Sequence, residues 1–470
     1  MYEIFQEMKL FKEILKNSSL KFIDAKTKEI SKLEDLLFDI SLIEENNRQL
    51  VFLYCKNQLS SIGMYFSLLE GNFTIALLNE ELSINLKIEI EEIYQPSIII
   101  DEIRAEVKFY SINLIKSNFH KIQLFQRNDN KKDILIHPNI KLLLSTSGTT
   151  GSPKFVKLSE ENIYENAISI SSYLPIFDKD VTPLNLSIFY SYGLSILHSN
   201  ALNGGEIVCN TGDVLSKEFW CQFEEFGFTS ISGVPFVYEM LDRIGFRKKQ
   251  YPTLRYLTQA GGNLNETTKQ RFLDFSLENE LEFFIMYGQT EASPRISFVP
   301  TINLPEKITS IGKPILNGKL SIDKETNELI YEGPNVFGGY AQNLQDLSNW
   351  EVIKKLNTGD LARKDEDGFY FITGRMNRFV KILGNRVNLD ELESIFKNKL
   401  GGINLACIGL NDKNVIVFTD TDLNLEHLKK EVAQELKIHS SIIKHEIINE
   451  FPLNSNGKIN YKELQNGYES

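Results

Sequence analysis

Apolar residues recur every three to four positions at Tyr2, Phe5, Met8, Phe11 and Leu15, which predicts an amphipathic helix over residues 2–16. Over the next hundred residues, short strand-like runs alternate with helical ones. LVFLYC (50–55) and SIIID (97–101) read as buried strands, and residues 60–71 as a helix stopped by Gly71. This alternation predicts α/β layers around a largely parallel sheet. KLLLSTSGTTG (141–151) reads as a strand running into a Gly/Ser/Thr loop. Residues 159–174 follow as a helix, with Ser159 as N-cap and Asn162 in the first turn. A second α/β unit spans 184–260, with short strands at Ile207–Cys209 and Ser230–Ser232 and a helix at Glu218–Phe226. After about residue 310 the period changes to two, with turn residues between, as in an antiparallel unit. The last ~95 residues fit the size of a small α/β domain. The expected fold class is therefore α/β: a large N-terminal domain of layered α/β subdomains plus a β unit (1–376), then a small α/β C-terminal domain (377–470). The boundary falls in the charged turn near Gly374–Arg378.

Length supports that division, because 470 residues exceed what one simple core accommodates. A 42% hydrophobic and 24% charged composition is that of a globular chain. The formal charge of −12 argues against a nucleic-acid binder, which would carry a basic field. Charges interrupt every apolar run near the N-terminus, and no stretch reaches the roughly 18 apolar residues of a membrane span. Cys55, Cys209, Cys221 and Cys407 lack metal-type spacing, and the six histidines are dispersed. The expectation is a cytoplasmic protein without a structural metal, nucleic-acid partner or membrane insertion.

Candidate chemistry begins at Ser145-Thr146-Ser147-Gly148-Thr149-Thr150-Gly151-Ser152-Pro153-Lys154. Glycines let backbone amides approach phosphate oxygens, hydroxyls add donors, and the lysine adds a point charge. Loops of this composition are also common connectors. It is not a Walker A loop, because Ser152-Pro153 separates Gly151 from Lys154 and breaks direct helix entry. The string resembles the phosphate-binding signature of the acyl-adenylate-forming superfamily, which includes acyl-CoA synthetases, peptide-synthetase adenylation domains and luciferases. The match runs through Lys154; Phe155 stands where the family usually has glycine.

Further strings of that family follow in order, from about residue 50 to the end of the chain. Ala260-Gly261-Gly262-Asn263-Leu264 sits where the family places a small-residue loop against adenine. Tyr287-Gly288-Gln289-Thr290-Glu291 resembles its YGxTE motif: an aromatic ring for adenine, a close-approach glycine, Thr290 on the α-phosphate and Glu291 on Mg²⁺. Thr358-Gly359-Asp360 resembles its TGD motif, in which the aspartate accepts both ribose hydroxyls. Thr373–Phe379 resembles its hinge motif, with Arg375 reaching the nucleotide and Asn377 in place of the usual aspartate. Gly384-Asn385-Arg386-Val387 resembles a stretch that lines the thiol channel in relatives. Pro452–Ile459 resembles the late Gly-Lys motif, whose lysine, here Lys458, bridges the carboxylate and the α-phosphate during attack.

The resemblance implies an enzyme that uses ATP and Mg²⁺ to turn a carboxylic acid into an acyl-AMP. A mobile small domain then turns about the hinge and the acyl group passes to a thiol, on coenzyme A or on the phosphopantetheine of an acyl carrier protein. Ser187-Ile188-Phe189-Tyr190-Ser191-Tyr192-Gly193-Leu194 resembles the FHxxGL form of acyl- and aryl-activating members, with Tyr190 in place of histidine. Tyr190, Tyr192 and Gly193 are the expected acid-pocket residues, although aromatics at this density also pack cores. No aspartate stands there to pair an α-ammonium, which points to an acid without an α-amino group. Arg243, Arg247, Lys248 and Lys249 are basic candidates for the acceptor's charge, or a solvated face. An amine acceptor and a non-catalytic nucleotide-binding homologue are the alternatives.

Overall fold

The computed structural model describes residues 9–128, 135–145, 154–376, 378–382, 385–400, 403–410, 414–435, 439–453 and 458–469. Its largest sheet has eight strands, in the order Tyr340–Ala341, Phe155–Leu158, Leu142–Ser145, Phe73–Asn79, Gln49–Cys55, Ile98–Ile100, Lys121–Arg127, Tyr110–Lys116. The unbroken apolar run of Gln49–Cys55 is buried at every position, as a central strand covered on both faces requires. Successive side chains serve different cores: Val51, Leu53 and Cys55 pack on one side, Leu50, Phe52 and Tyr54 on the other.

The sheet is less parallel than the alternation predicts. Its centre is parallel, but both flanks are antiparallel. The Tyr110–Lys116/Lys121–Arg127 hairpin at one edge escapes sequence reading because Ile112 and Leu114 are exposed, which blurs its alternation. At the opposite flank, Phe155 is fully buried and packs edge-on against Tyr94, ring centroids 4.8 Å apart. An aromatic in place of the expected glycine thus anchors the strand that leaves the 146–153 loop. The predicted N-terminal helix is seen as Lys9–Leu15, residues 1–8 lying outside those described. Glu160–Tyr173 begins as predicted, with Ser159 and Asn162 forming a capping box.

A second sheet runs Ser230–Gly233, Tyr256–Gln259, Glu282–Gly288, Arg295–Phe298, Lys313–Pro314. Its first three strands are parallel, so the loops after Gln259 and Gly288 emerge at the same carboxyl edge, where α/β sheets place ligands. A smaller sheet joins Val181–Pro183, Glu206–Cys209, Lys21–Asp24 and Ile30–Ser31. The period-two segment forms an antiparallel sheet of Lys319–Ile322, Glu328–Glu332, Leu356–Lys364 and Tyr370–Arg375.

Beyond Arg375 the apolar side chains form separate clusters. Val380, Leu392, Phe396, Cys407 and Val417 pack on one face of the sheet Leu405–Leu410, Asn414–Thr419, Ile443–Ile447; Ile408, Phe418 and Leu464 pack on the other. Arg378 ties this part together. It donates to Asp390 at 2.6 Å, to Glu393 and the Cys407 carbonyl at 2.7 Å each, and lies 3.7 Å from the centroid of Tyr461. Among the described residues no helix is long and apolar enough to cross a membrane.

Candidate active site

The turn after Glu282–Gly288 folds back tightly. A side chain at Gly288 would place its Cβ 1.9 Å from the carbonyl oxygen of Pro294, so only glycine fits. The Gln289 amide donates to that same carbonyl at 2.8 Å. The following 3₁₀ turn, Thr290–Ala292, presents the two predicted polar groups. Thr290 shares a hydroxyl–hydroxyl hydrogen bond with Ser191 at 3.2 Å. Glu291 accepts from the Tyr340 hydroxyl on Oε1 at 2.8 Å. Its other oxygen, Oε2, makes no hydrogen bond among the described residues. Lys154 arrives from the loop's exit, its ammonium 3.2 Å from the centroid of the Tyr340 ring.

Asp360 enters from the antiparallel sheet, after Gly359 at φ +74°. It is 6% exposed. Tyr287 donates its hydroxyl to Oδ2, and Arg375, its cross-strand partner, donates Nε to Oδ1 at 3.0 Å. Each oxygen keeps a second lone pair, enough for two further donors. Burial and the adjacent carboxylate hold the Tyr287 hydroxyl protonated, as a donor.

Lys458 reaches this site from the far end of the chain and is half-buried. Burial lowers its pKa from the ordinary 10.5 to about 8, and the Arg375 charge adds to that; Asp360 and Glu291 oppose it. Asp360, from the antiparallel sheet, and Glu291, from the turn after Gly288, are thus both near enough to act on the charge of one lysine.

The loop after Gln259 is held by a hydrogen bond from Gln259 Nε2 to the Gly262 carbonyl at 3.0 Å. Gly261 lies at φ +85°, and a Cβ there would stand 2.8 Å from the Tyr190 hydroxyl. Tyr190 meets Tyr192 edge-on, centroids 6.4 Å apart. Tyr192 is buried, with its hydroxyl on Thr258 at 2.8 Å. Gly193 serves packing: its Cβ would fall 2.2 Å from the Ser187 carbonyl oxygen. Of the other predicted residues, Thr146, Ser147, Gly148, Thr149, Thr150, Gly151, Asn377 and Gly384 lie outside the described residues.

The residue order and the geometry agree with what comparison finds. Residues 89–341, more than half the chain, match the AMP-binding enzyme family. The chain belongs to that family. A 2-succinylbenzoate–CoA ligase from Bacillus mycoides is 27% identical over 346 residues, covering 69% of each chain. Among solved structures, an O-succinylbenzoate coenzyme A synthetase from Bacillus subtilis in complex with AMP superimposes with TM-score 0.74 at 18% identity, over 96% of this chain and 98% of that one. A Mycobacterium tuberculosis fatty acyl CoA synthetase gives 0.69 at 16% identity, over 98% of each. This family member thus has the shared fold of a large N-terminal and a small C-terminal part.

Sequence reading misses Tyr340, which bridges Lys154 and Glu291. It follows a Gly338-Gly339 pair, and that pair before an aromatic is the signal available. Arg295, buried with its guanidinium over the ring of Tyr192, is passed over as well. The basic cluster is partly spent on ion pairs: Arg247 on nearby Asp242, and Arg243 3.7 Å from Asp420 of the C-terminal part.

Proposed function

We propose that this member of the family is an ATP-dependent, AMP-forming acid–thiol ligase, built as an N-terminal domain of residues 1–376 and a mobile C-terminal domain of 377–470. The observation that carries the reading is the pair of held carboxylates, Asp360 under Tyr287 and Arg375 and Glu291 under Tyr340, with Lys458 near enough for both to act on its charge. A carboxylate is a poor acyl donor, and a mixed anhydride with AMP supplies a good leaving group. Attack of the carboxylate on the α-phosphorus needs positioning and charge neutralisation more than covalent help. Asp360 accepts the ribose hydroxyls, and Thr290 donates to the α-phosphate. Lys154 neutralises the outgoing phosphates, and Lys458 bridges attacking oxygen and phosphate. Glu291, with Oε1 fixed by Tyr340 and Oε2 open, suits a hard-oxygen ligand for Mg²⁺, which would neutralise phosphate charge.

The apolar clusters that change over between Tyr370 and Val380 support the domain boundary. Relatives named as CoA ligases support coenzyme A as acceptor, with an acyl carrier protein second. Tyr190 and Tyr192 line the route for an acid lacking an α-amino group.

The test is carboxylate-dependent ATP–pyrophosphate exchange with Mg²⁺, over fatty, aryl, keto and amino acids. Exchange with one acid class, followed by thioester formation on adding coenzyme A, is expected. ATP binding without exchange for any acid overturns the proposal.

A further inference from the structure

Among the described residues no apolar cluster holds side chains from both sides of Arg375, so no shared apolar core fixes the C-terminal part against the rest of the chain. Charge makes the contact instead, through helix Pro235–Arg243. Glu239 and Arg243 are four residues apart and share one face of it. Arg243 Nη2 lies 3.7 Å from Oδ2 of Asp420, just past strand Asn414–Thr419. The aspartate is the fixed half of that pair. Its side chain is 19% exposed against 53% for Arg243, and Asn404 Nδ2 donates to the same Oδ2 at 2.8 Å. One turn back, Glu239 faces a charge of the opposite sign. Burial raises its pKa from the ordinary carboxylate value, and Lys397, on helix Leu389–Lys399, is the strongest influence opposing that rise. An acid and a base on one part therefore face a base and an acid on the other.

The same helix starts at the loop expected to lie against adenine. Pro235 is its first residue, and a Cβ on Gly262 would stand 3.1 Å from Cγ of that proline. Asn265, the N-cap of the helix Glu266–Glu278 that follows the loop, donates to Glu239 at 3.5 Å. The face that meets the C-terminal part is thus tied to the nucleotide end of the site. In this arrangement Lys458 is near enough to Asp360 and Glu291 for both to act on its charge. Whatever holds the C-terminal part here therefore holds that lysine at the site. Ion pairs suit a part that must also leave. An exposed pair is weak and breaks at little cost, yet opposed charges reject other registers, in which like charges would meet.

We propose that Glu239 and Arg243 are positioning residues for adenylate formation: with Lys397 and Asp420 they form a charge-complementary seat that holds the C-terminal part where Lys458 enters the site. This role rests on the ligase reading above and deepens it. The two side chains act through Lys458 rather than on the substrate. Loss of the seat therefore lowers the adenylation rate and spares the second half-reaction, for which the part turns away.

The experiment compares wild type, Arg243→Glu, Asp420→Arg and the double variant, alongside melting temperatures. Three quantities are measured: ATP–pyrophosphate exchange with an acid that supports it in wild type, thioester formation from a supplied acyl-AMP, and trypsin cleavage after Arg375 and Arg378 in the free protein. Each single reversal sets like charges face to face. The kcat of exchange should fall on the order of tenfold, with KM for ATP little changed, and cleavage should quicken. Asp420→Arg should form thioester at the wild-type rate or faster. The double variant restores the pair with its signs exchanged, so exchange and cleavage should return to within about threefold of wild type. Glu239→Lys with Lys397→Glu makes the same test on the second pair. Unchanged exchange or cleavage in both single variants, or no recovery in the double variant, overturns the proposal while leaving the ligase reading intact. So does an equal loss in both half-reactions, which marks a packing defect. Loss of thioester formation confined to Arg243→Glu assigns that arginine to the acceptor instead, and overturns it too. Absence of exchange with any acid in wild type overturns the ligase reading, and the positioning role with it.

Discussion

The hydroxyl of Tyr340 donates to Glu291 at 2.8 Å while the face of its ring carries the Lys154 ammonium. One aromatic residue thus couples the exit of the glycine-rich loop to the carboxylate proposed to hold Mg²⁺. Its position is fixed by a two-residue strand, in which Tyr340 pairs with Val156 and Ala341 with Phe155.

Tyr340→Phe separates the two couplings, because it removes the hydroxyl and keeps the ring. A hydrogen bond to a charged carboxylate contributes about 1.5 kcal/mol or more. The apparent Mg²⁺ requirement of the exchange reaction should therefore rise by roughly tenfold or more, with a smaller change in KM for ATP. Tyr340→Ala should also weaken ATP binding, since Lys154 loses its platform. Unchanged Mg²⁺ titration curves for Tyr340→Phe would show that Glu291 needs no such tether.

Lys458→Ala should remove the cation from the first half-reaction only. Loss of a charge that stabilises the transition state lowers the rate on the order of 10³-fold. Pyrophosphate release should fall by that factor, while thioester formation from a supplied acyl-AMP stays within a few-fold of wild type. Equal damage to both steps would count against a division of labour between two orientations of the small domain.

The chemistry readable from sequence is the chemistry held in short strings. Tyr287, Thr290 and Glu291 share one turn, and Asp360 and Lys458 each carry their own punctuating glycine. What escapes is what only tertiary structure brings near. Tyr340 reaches Glu291 from 49 residues away, and Arg295 becomes conspicuous only once it is seen buried with no carboxylate paired to it among the described residues. The same holds for the fold. Gln49–Cys55 reveals itself by an unbroken apolar run, because both of its faces are covered. The 110–127 hairpin does not, because an edge strand exposes apolar side chains that imitate no simple period.

Lys458 also predicts a pH profile. It acts as a cation, and its pKa of about 8 means the ammonium is lost as pH rises through that value. In the free enzyme this governs kcat/KM. The adenylation kcat/KM should therefore decline above pH 8, approaching tenfold per unit. Lys458→Arg, slower but permanently charged, should hold its own rate flat to beyond pH 9.5. A flat wild-type profile over the same range would refute the role assigned to the ammonium.

Stability should respond to pH at the other extreme, through His198. This residue is 3% exposed, shares a hydrogen bond with Tyr65 at 2.8 Å and stacks on its ring. Burial alone pushes its pKa down from 6.5 to about 3. The folded chain therefore keeps the imidazole neutral while the unfolded chain takes up a proton below pH 6.5. Stability from this group is complete above that pH and is lost as pH falls toward 3, at up to roughly 1.4 kcal/mol per unit. Between pH 7.5 and 5.5, urea unfolding of wild type should lose about 1.4 kcal/mol more than His198→Gln, which cannot titrate. Glutamine is the informative replacement because it preserves a polar partner for Tyr65, so the variant's lower stability at pH 7.5 cancels from the comparison. Parallel losses in the two proteins would place the acid sensitivity elsewhere, in the buried carboxylates.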